Sequence, residues 1–363
     1  MEQRQNLFWG LLGISMLCLA HHFFLWGSLV AQYHFDWGRL LSNWDSGWYN
    51  RIASYGYFGK SWAFFPLYPM SVRGLLRYFD GIPPQILGTI FSSIVFVSFT
   101  VMIARLVRTK GTSLLLPSNL LSWFFFVYSA SSFVFHSHHT ESLFVLLSFL
   151  AFWTAFEGRW LWAAIFAGLS WLTRHQGAFV SFCVALQSVQ AFYIAKEYRK
   201  LFVRFLLSSL ISVSIFAAYP IYQYMIAGNP LLFIQSQAGW SHATGLWSVV
   251  QTLWFANPEQ QKFSLWMNAF HFAYYLFLWV LVYMVWKRNF VLGLYGALSL
   301  MILFFQASLL NSFRFGAVLF PLFFFLGERL SSQNSYVKWT LVVLAVYLNH
   351  YVTASYAMRL WAY

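Results

Sequence analysis

The sequence predicts an all-α membrane protein with about eleven transmembrane helices and a large first loop outside the cytoplasm. Two observations indicate this class. Of the 363 residues, 60% are hydrophobic and only 9% are charged, whereas soluble domains carry about 25% charged residues. In addition, apolar runs recur along the chain and the basic residues fall between them, as is typical of multi-span proteins.

The apolar runs define the candidate spans. A spanning helix needs about 20 apolar residues. The first run is too long for a signal-peptide core and lacks a clear cleavage site, so we expect a retained signal anchor. The predicted spans are 7–31, 84–104, 114–135, 141–156, 160–174, 178–195, 203–226, 266–286, 290–310, 315–328 and 338–356.

Basic residues in the connections orient these spans. The clusters at 105–110, 196–204 and 287–288 fall on the same side as Arg4, and the positive-inside rule makes that side cytoplasmic. In the first outer loop, the proline-broken stretch 62–80 favours an interfacial helix. We expect one membrane domain. This domain covers residues 1–363. The segments expected on the non-cytoplasmic side are the loop 32–83, the long segment 227–265, and the turns 136–140, 174–177 and 311–314.

The same distribution of charge narrows the function classes. The net charge of +13 is explained by topology and by contact with membrane lipid, so no nucleic-acid partner is expected. Cys18 and Cys183 lie far apart in apolar spans without ligand spacing or polar neighbours, and we interpret them as core residues. The sequence contains no glycine-rich phosphate loop, no recognisable Ser-His-Asp set and no zinc-protease motif.

Asp45 is the candidate general base. The chain has nine acidic residues, and this one stands between Trp44 and Trp48 in the first outer loop. A carboxylate near a membrane interface is costly to desolvate, which favours a functional role, and it can accept a hydroxyl proton without a metal. The alternative is an Asx-turn or a helix N-cap in a turn-rich string. Asp36 is the fallback base.

Glu141 opens an apolar helix directly after a histidine-rich turn. It is either a helix-capping acid that follows Thr140 or a carboxylate that orients substrate. A metal site of histidine and carboxylate ligands is a third reading, but the adjacent His138 and His139 do not share a helix face. No cofactor is therefore expected. A divalent metal ion bound by carboxylates of the outer loops stays an alternative.

Two arginines lie on the outer side, against the charge rule. Arg174 ends one helix and Arg314 stands between two apolar spans. Both suit fork-shaped recognition of a phosphate, with a helix C-cap or an ion pair to Glu141 as the alternative. Aromatic and amide side chains in the segment 227–265 suit sugars, although an interfacial tryptophan belt would look similar. The full set of candidate substrate-binding residues is Trp44, Arg51, His139, Glu141, Arg174, Gln176, Gln237, Trp240 and Arg314.

These residues together resemble the GPI mannosyltransferase II (PIG-V-like) family of the GT-C superfamily of integral membrane glycosyltransferases. The resemblance rests first on the opening block of the outer loop and then on a series of shorter matches in the same order. The matching residues are Trp44-Asp45, Tyr49, Arg51-Ile52-Ala53, Gly56-Tyr57, Phe64-Phe65-Pro66-Leu67-Tyr68-Pro69, Thr140-Glu141-Ser142, Arg174, Gly177, Pro230, Phe233, Gln237, Trp240, Arg314 and Pro321.

The resemblance implies transfer of a sugar from a polyprenyl- or dolichyl-phosphate donor to a hydroxyl of a lipid or glycan acceptor on the non-cytoplasmic face. The sugar implied is mannose, the configuration inverts, and Asp45 is the base. The chain lacks a long luminal insertion, which favours a bacterial relative. The membrane would be the bacterial inner membrane with a periplasmic active site, or the ER membrane with a luminal one.

Two rival functions come from other classes. A transporter or flippase for a lipid-linked sugar would place ionisable residues at mid-membrane depth and repeat helix breaks in both halves. Here the unusual residues cluster at one face and no repeat is visible. The second rival is a non-glycosyl membrane transferase or a structural subunit. Its activity or assembly would not change when Asp45 is substituted.

Overall fold

The computed structural model describes residues 2–34, 36–111, 113–194, 198–237, 258–305 and 309–360. Every regular element in these residues is helical, with sixteen α-helices and four short 3₁₀ segments. The α-helices, numbered α1 to α16 in chain order, are Glu2–Tyr33, Trp37–Leu40, Asp45–Tyr55, Leu67–Leu76, Pro84–Lys110, Leu120–Val127, Glu141–Phe156, Trp160–Trp171, Gly177–Ile194, Tyr198–Ala227, Leu232–Gln237, Pro258–Arg288, Phe290–Met301, Ser312–Ala317, Phe320–Ser331 and Ser335–Ala357.

Four helices in the described residues are long and apolar enough to cross a membrane: Glu2–Tyr33, Pro84–Lys110, Phe202–Ala227 and Ala269–Arg288. Several shorter apolar helices pack beside them, among them α7, α8 and α13. Helices on the outside of the bundle expose large apolar side chains such as Phe24 and Met225, which suits contact with lipid. The prediction of an all-α polytopic membrane protein is confirmed.

Three predicted spans are split or much shorter in the structure. The span predicted at 114–135 begins only at Leu120, because Pro117 and the N-cap Asn119 set its start, and it ends at Val127 before a serine-rich turn. The span predicted at 315–328 is divided into α14 and α15, since Pro321 fits only the first turn of a new helix. The span predicted at 290–310 is helical to Met301 and continues as a 3₁₀ segment.

The first outer loop is built from short helices that pack on the bundle. It holds α2, α3, a 3₁₀ segment at Gly59–Ala63 and α4, and both α3 and α4 contact α5. The interfacial helix predicted within 62–80 corresponds to α4. From the second long segment, α11 packs against the 3₁₀ segment of the first loop. These contacts set the first loop beside the turn that precedes α7.

Candidate active site

Asp45 is the first residue of α3 and lies at the partly open edge of the site. The N-cap position belongs to Trp44, whose φ of 53° is in the left-handed region that a bulky side chain rarely adopts. Such strain is often found at functional sites. Because Trp44 is the N-cap of α3, the alternative of Asp45 as an N-cap is wrong. Its side chain is 29% exposed.

Glu141 is the first residue of α7 and is fully buried. Arg174 and Arg314 both donate to its Oε1 atom. The Thr140 hydroxyl accepts from Arg174 at 3.1 Å and donates to Glu141 Oε2 at 3.3 Å. It makes no capping bond to the helix backbone. Thr140 thus occupies the expected N-cap position of α7 but without a capping hydrogen bond. The ion-pair alternative for the two arginines describes the contacts of Glu141.

Arg314 joins the two carboxylates. Its Nε atom donates to Glu141 and one of its terminal nitrogens donates to Asp45. The four side chains Asp45, Glu141, Arg174 and Arg314, called here the charge cluster, come from α3, α7, the turn after α8, and α14. Two carboxylates and two guanidinium groups balance in charge. Buried charges are tolerated when they are paired and hydrogen-bonded in this way.

The Arg174 guanidinium is held on several sides. Its Nε atom donates to Gln176 Oε1 at 3.1 Å, and its central carbon lies 5.4 Å from the Phe315 ring centroid and 6.0 Å from that of Phe144. Gln176 is fully buried, and its amide nitrogen has no partner among the described residues. A buried amide donor beside the Arg174 guanidinium group is suited to an anionic ligand.

A hydrogen-bond network ties the first outer loop to the turn before Glu141. The Ser46 hydroxyl donates to the His138 carbonyl at 2.9 Å and lies 3.4 Å from His139 Nδ1. The Tyr68 hydroxyl lies 2.9 Å from both His138 Nδ1 and Ser92 Oγ, and Ser92 donates to the His139 carbonyl at 3.0 Å. Positioning roles for Ser46, Tyr68 and Ser92 could not be predicted, because no local sequence pattern connects these three residues.

Two histidines of this network, and Tyr49 packed against their rings, are unsuited to act as the base. Burial raises the pKa of Tyr49 to about 12, so its phenol keeps its proton. Burial lowers the pKa of His138 to about 3 and holds the pKa of His139 well below its usual value, so both imidazoles are neutral at physiological pH. The His139 Nδ1 atom lies 3.4 Å from the Ser46 hydroxyl and 2.7 Å from that of Ser137.

Three further candidates, Arg51, Gln237 and Asp36, have contacts with other parts of the described residues. Arg51 is exposed and stands over the Trp48 ring at 5.4 Å. Gln237 donates to the Ala63 carbonyl at 3.0 Å. Trp240 lies outside the described residues. Asp36 caps α2, with its Oδ1 atom accepting from the Arg39 backbone N–H at 2.7 Å.

The two cysteines differ in setting. Cys183 is buried and has a free thiol, in agreement with the core role expected from the sequence. The expectation for Cys18 is wrong about its neighbours, because its Sγ atom lies 3.8 Å from His22 Nε2 and 4.0 Å from Ser132 Oγ. Helical spacing of four residues places His22 over Cys18, and the turn carrying Ser132 packs against that face of α1.

The comparison with protein families decides the membership of the chain. The family model described as Mannosyltransferase (PIG-V) matches residues 13–243. The chain belongs to the PIG-V mannosyltransferase family. It is therefore a membrane glycosyltransferase, and the family resemblance expected from the sequence is confirmed. No curated protein and no solved structure matches the chain.

The matched range includes three of the four residues of the charge cluster. Asp45, Glu141 and Arg174 lie within the part matched by the PIG-V model, whereas Arg314 lies beyond its end at residue 243. Arg314 contacts Asp45 and Glu141 in the folded protein, although it lies outside the matched range. For the PIG-V family, the implied ligands are a lipid-linked sugar donor and a glycan acceptor in the membrane.

Proposed function

We propose that this protein transfers mannose from a polyprenyl- or dolichyl-phosphate carrier to an acceptor hydroxyl, with inversion and with Asp45 as general base. The observation that carries the proposal is the difference in exposure within the charge cluster. The Glu141 side chain is completely buried, whereas that of Asp45 is 29% exposed. A general base must reach the proton that it removes. Of the two carboxylates in the cluster, Asp45 meets this requirement.

The donor phosphate is assigned to the buried cationic side of the cluster. Arg174 and Arg314 supply guanidinium groups, and Gln176 supplies an unpaired amide donor beside Arg174. These groups are fixed by Glu141, Thr140 and the aromatic rings, so they need not reorganise during the reaction. Preorganised donors of this kind stabilise charge as it develops on a leaving group.

The proposed step balances as follows. The acceptor oxygen forms a bond to the anomeric carbon while its proton passes to the Asp45 carboxylate. The bond between the anomeric carbon and the phosphate oxygen breaks, and its electron pair leaves with the polyprenyl phosphate. The phosphate thereby gains one negative charge, which Arg174 and Arg314 are placed to stabilise. Attack opposite the leaving group inverts the configuration.

We place the reaction on the non-cytoplasmic face. The four cluster residues come from segments that the positive-inside rule assigns to that side. The exposed basic residues Lys110 and Arg288, by contrast, lie in the last turns of α5 and α12, in connections assigned to the cytoplasm. The membrane is then the bacterial inner membrane with a periplasmic site or the ER membrane with a luminal site.

The test compares the wild type with Asp45→Asn, both purified in detergent. Each receives polyprenyl-phosphate mannose and a panel of lipid acceptors, and products are identified by mass spectrometry. Asparagine can still accept from Arg314 through its carbonyl oxygen, so folding should be retained. It cannot take up the proton, and we expect transfer to fall by about 10²–10⁴-fold.

Asp36→Asn is the matched control, because asparagine caps a helix as well as aspartate does. It should transfer as the wild type does. Wild-type turnover by Asp45→Asn would reject Asp45 as the base, and loss of turnover in Asp36→Asn would transfer that role to Asp36. Binding of the donor by both proteins without transfer to any acceptor would favour a carrier over an enzyme.

A further inference from the structure

A second polar group lies inside the bundle, apart from the charge cluster. It consists of Cys18 and His22 on α1 and His136 in the turn before Glu141. All three residues are fully buried. The sulfur of Cys18 and one ring nitrogen of each histidine lie within 4.8 Å of one another. Polar groups are expensive in the interior of a membrane protein, so their presence requires a physical cause.

The hydrogen bonds of the group are incomplete. Both ring nitrogens of His136 and the Nδ1 atom of His22 have no partner among the described residues. A buried imidazole with both nitrogens unpaired costs several kcal/mol unless something occupies the space beside it. The His136 ring packs edge-on to Phe96, with centroids 4.8 Å apart, and 5.4 Å from the His22 ring. Beside these unpartnered nitrogens, the Cys18 thiol donates to the Val127 carbonyl at 3.0 Å, a bond that ends when the thiol loses its proton.

The neighbouring residue Asn349 fixes the group in place. Its side-chain nitrogen donates to the Ser129 carbonyl at 2.8 Å and to Ser132 Oγ at 2.9 Å. These two bonds orient its carbonyl oxygen toward His22 Nε2, which lies 2.8 Å away. A hydrogen bond from one ring nitrogen to a carbonyl oxygen is the usual way in which a metal-binding histidine is oriented.

We propose that Cys18, His22 and His136 bind a monovalent soft metal ion, copper(I). One thiolate and two imidazoles form a ligand set that suits this ion. Ligands around a single ion lie about 4 Å apart, and the sulfur and ring nitrogens of this group lie within 4.8 Å of one another. Because His22 Nε2 is bonded to Asn349, the unpartnered Nδ1 atom is the nitrogen left for the ion. The thiol releases its proton to solvent as the Cu–S bond forms. The resulting thiolate–copper(I) pair has no net charge, whereas a divalent ion would leave a positive charge in an apolar interior.

The ion would connect α1 to the turn that carries His138 and His139 and leads into Glu141. It would have a structural role, because none of the three ligands touches the charge cluster through a described hydrogen bond. Since the site is fully enclosed, the ion is taken up as the chain folds.

The test uses full-length protein from cells supplied with copper, purified in detergent without oxygen. Metal content is measured by mass spectrometry, and X-ray absorption at the copper edge reports the ligands. We expect about one copper ion per chain, with one sulfur and two nitrogen ligands. Cys18→Ser should lose the ion. The matched control is Cys183→Ser, which removes the other buried thiol and should retain it.

Gel filtration verifies that each variant is folded. If Cys18→Ser does not fold, the absorption spectrum of the wild type alone decides, because a sulfur ligand must be seen. Copper bound equally by both cysteine variants would show surface binding and would overturn the proposal. So would a wild type without metal, or one that takes zinc in place of copper when both are supplied.

Discussion

The two ends of α7 carry the same residue in opposite settings. Glu141 at its start is fully buried and receives hydrogen bonds from two arginines. Glu157, which follows its last residue, is 29% exposed in its side chain and lies 3.5 Å from Lys110, whose side chain is 55% exposed. A carboxylate at a helix end is thus no guide to function by itself. The difference lies in what the fold brings to it.

The energies of the two ends also differ in kind. An exposed ion pair contributes about 0–1 kcal/mol, because water weakens the attraction in the folded state and holding two long side chains together costs entropy. A buried network loses several kcal/mol of solvation per ion, and its internal attraction often only offsets that loss. A gain in folding stability therefore does not by itself explain why the four charges are buried. Its retention is consistent with the chemistry proposed for Asp45 and the two arginines.

The largest effect on stability is expected for Glu141→Gln. The substitution keeps the shape of the side chain but removes the fully buried carboxylate that both Arg174 and Arg314 contact, whereas Asp45 is contacted by Arg314 and is partly exposed to water. An uncompensated buried charge costs about 3–5 kcal/mol, so the thermal unfolding midpoint in detergent should fall sharply. Glu157→Gln is the control at the other end of the helix and should unfold near the wild-type temperature. Equal midpoints for the two variants would contradict the distinction drawn between the two ends.

Arg314→Ala tests the cationic side of the cluster through its kinetics. We expect kcat/KM for the lipid-phosphate donor to fall by about 10²–10³-fold, as when one preorganised donor is removed from an anion-stabilising site. Some turnover should remain, because Arg174 is still present. Arg314→Lys should recover only part of the loss, since an ammonium group lacks the fork that reaches both carboxylates. An unchanged apparent affinity for the donor would make Arg314 a structural residue.

Gly88→Ala tests how firmly the turn before Glu141 is held. A Cβ atom at this position of α5 would lie 1.7 Å from His138 Nδ1, so the ring must move and lose its contact with Tyr68. Overpacking of this kind costs about 1–3 kcal/mol. Gly74→Ala in α4 is the matched control, because nothing lies within 4 Å of its Cβ position. A Gly88→Ala protein as stable and active as the Gly74→Ala protein would show that the turn does not depend on this packing.

The helical membrane class and the candidate charges could be predicted because their signals are local or compositional. Acidic residues are few, and arginines on the outer side contradict the charge rule, so Asp45, Glu141, Arg174 and Arg314 were identified as candidates. That Arg314 touches both carboxylates could not be predicted. The contact with Asp45 joins residues 269 positions apart, and no periodicity reports on such a pair.

The histidine-rich turn shows the same limit. His136, His138 and His139 were treated as one group because they are adjacent in sequence. In the structure His136 faces Cys18 and His22, while His138 and His139 face the first outer loop. A turn without regular secondary structure has no fixed face, so the directions of its side chains depend on the helices around it.

The smallest effect is expected for Lys110→Ala, which removes the partner of Glu157. The Lys110 side chain is more than half exposed, and its Nζ atom lies 3.5 Å from Glu157 Oε1. The free energy of unfolding should therefore fall by no more than about 1 kcal/mol, and by less at high salt. Transfer should be unchanged, since α7 has 16 residues and, at about 1.5 Å per residue, puts this pair about 24 Å from the charge cluster. A transfer assay and an unfolding curve on the same preparation measure both quantities. Loss of transfer without loss of stability would mean that the two ends of α7 are coupled, and the contrast between them would then describe one extended site.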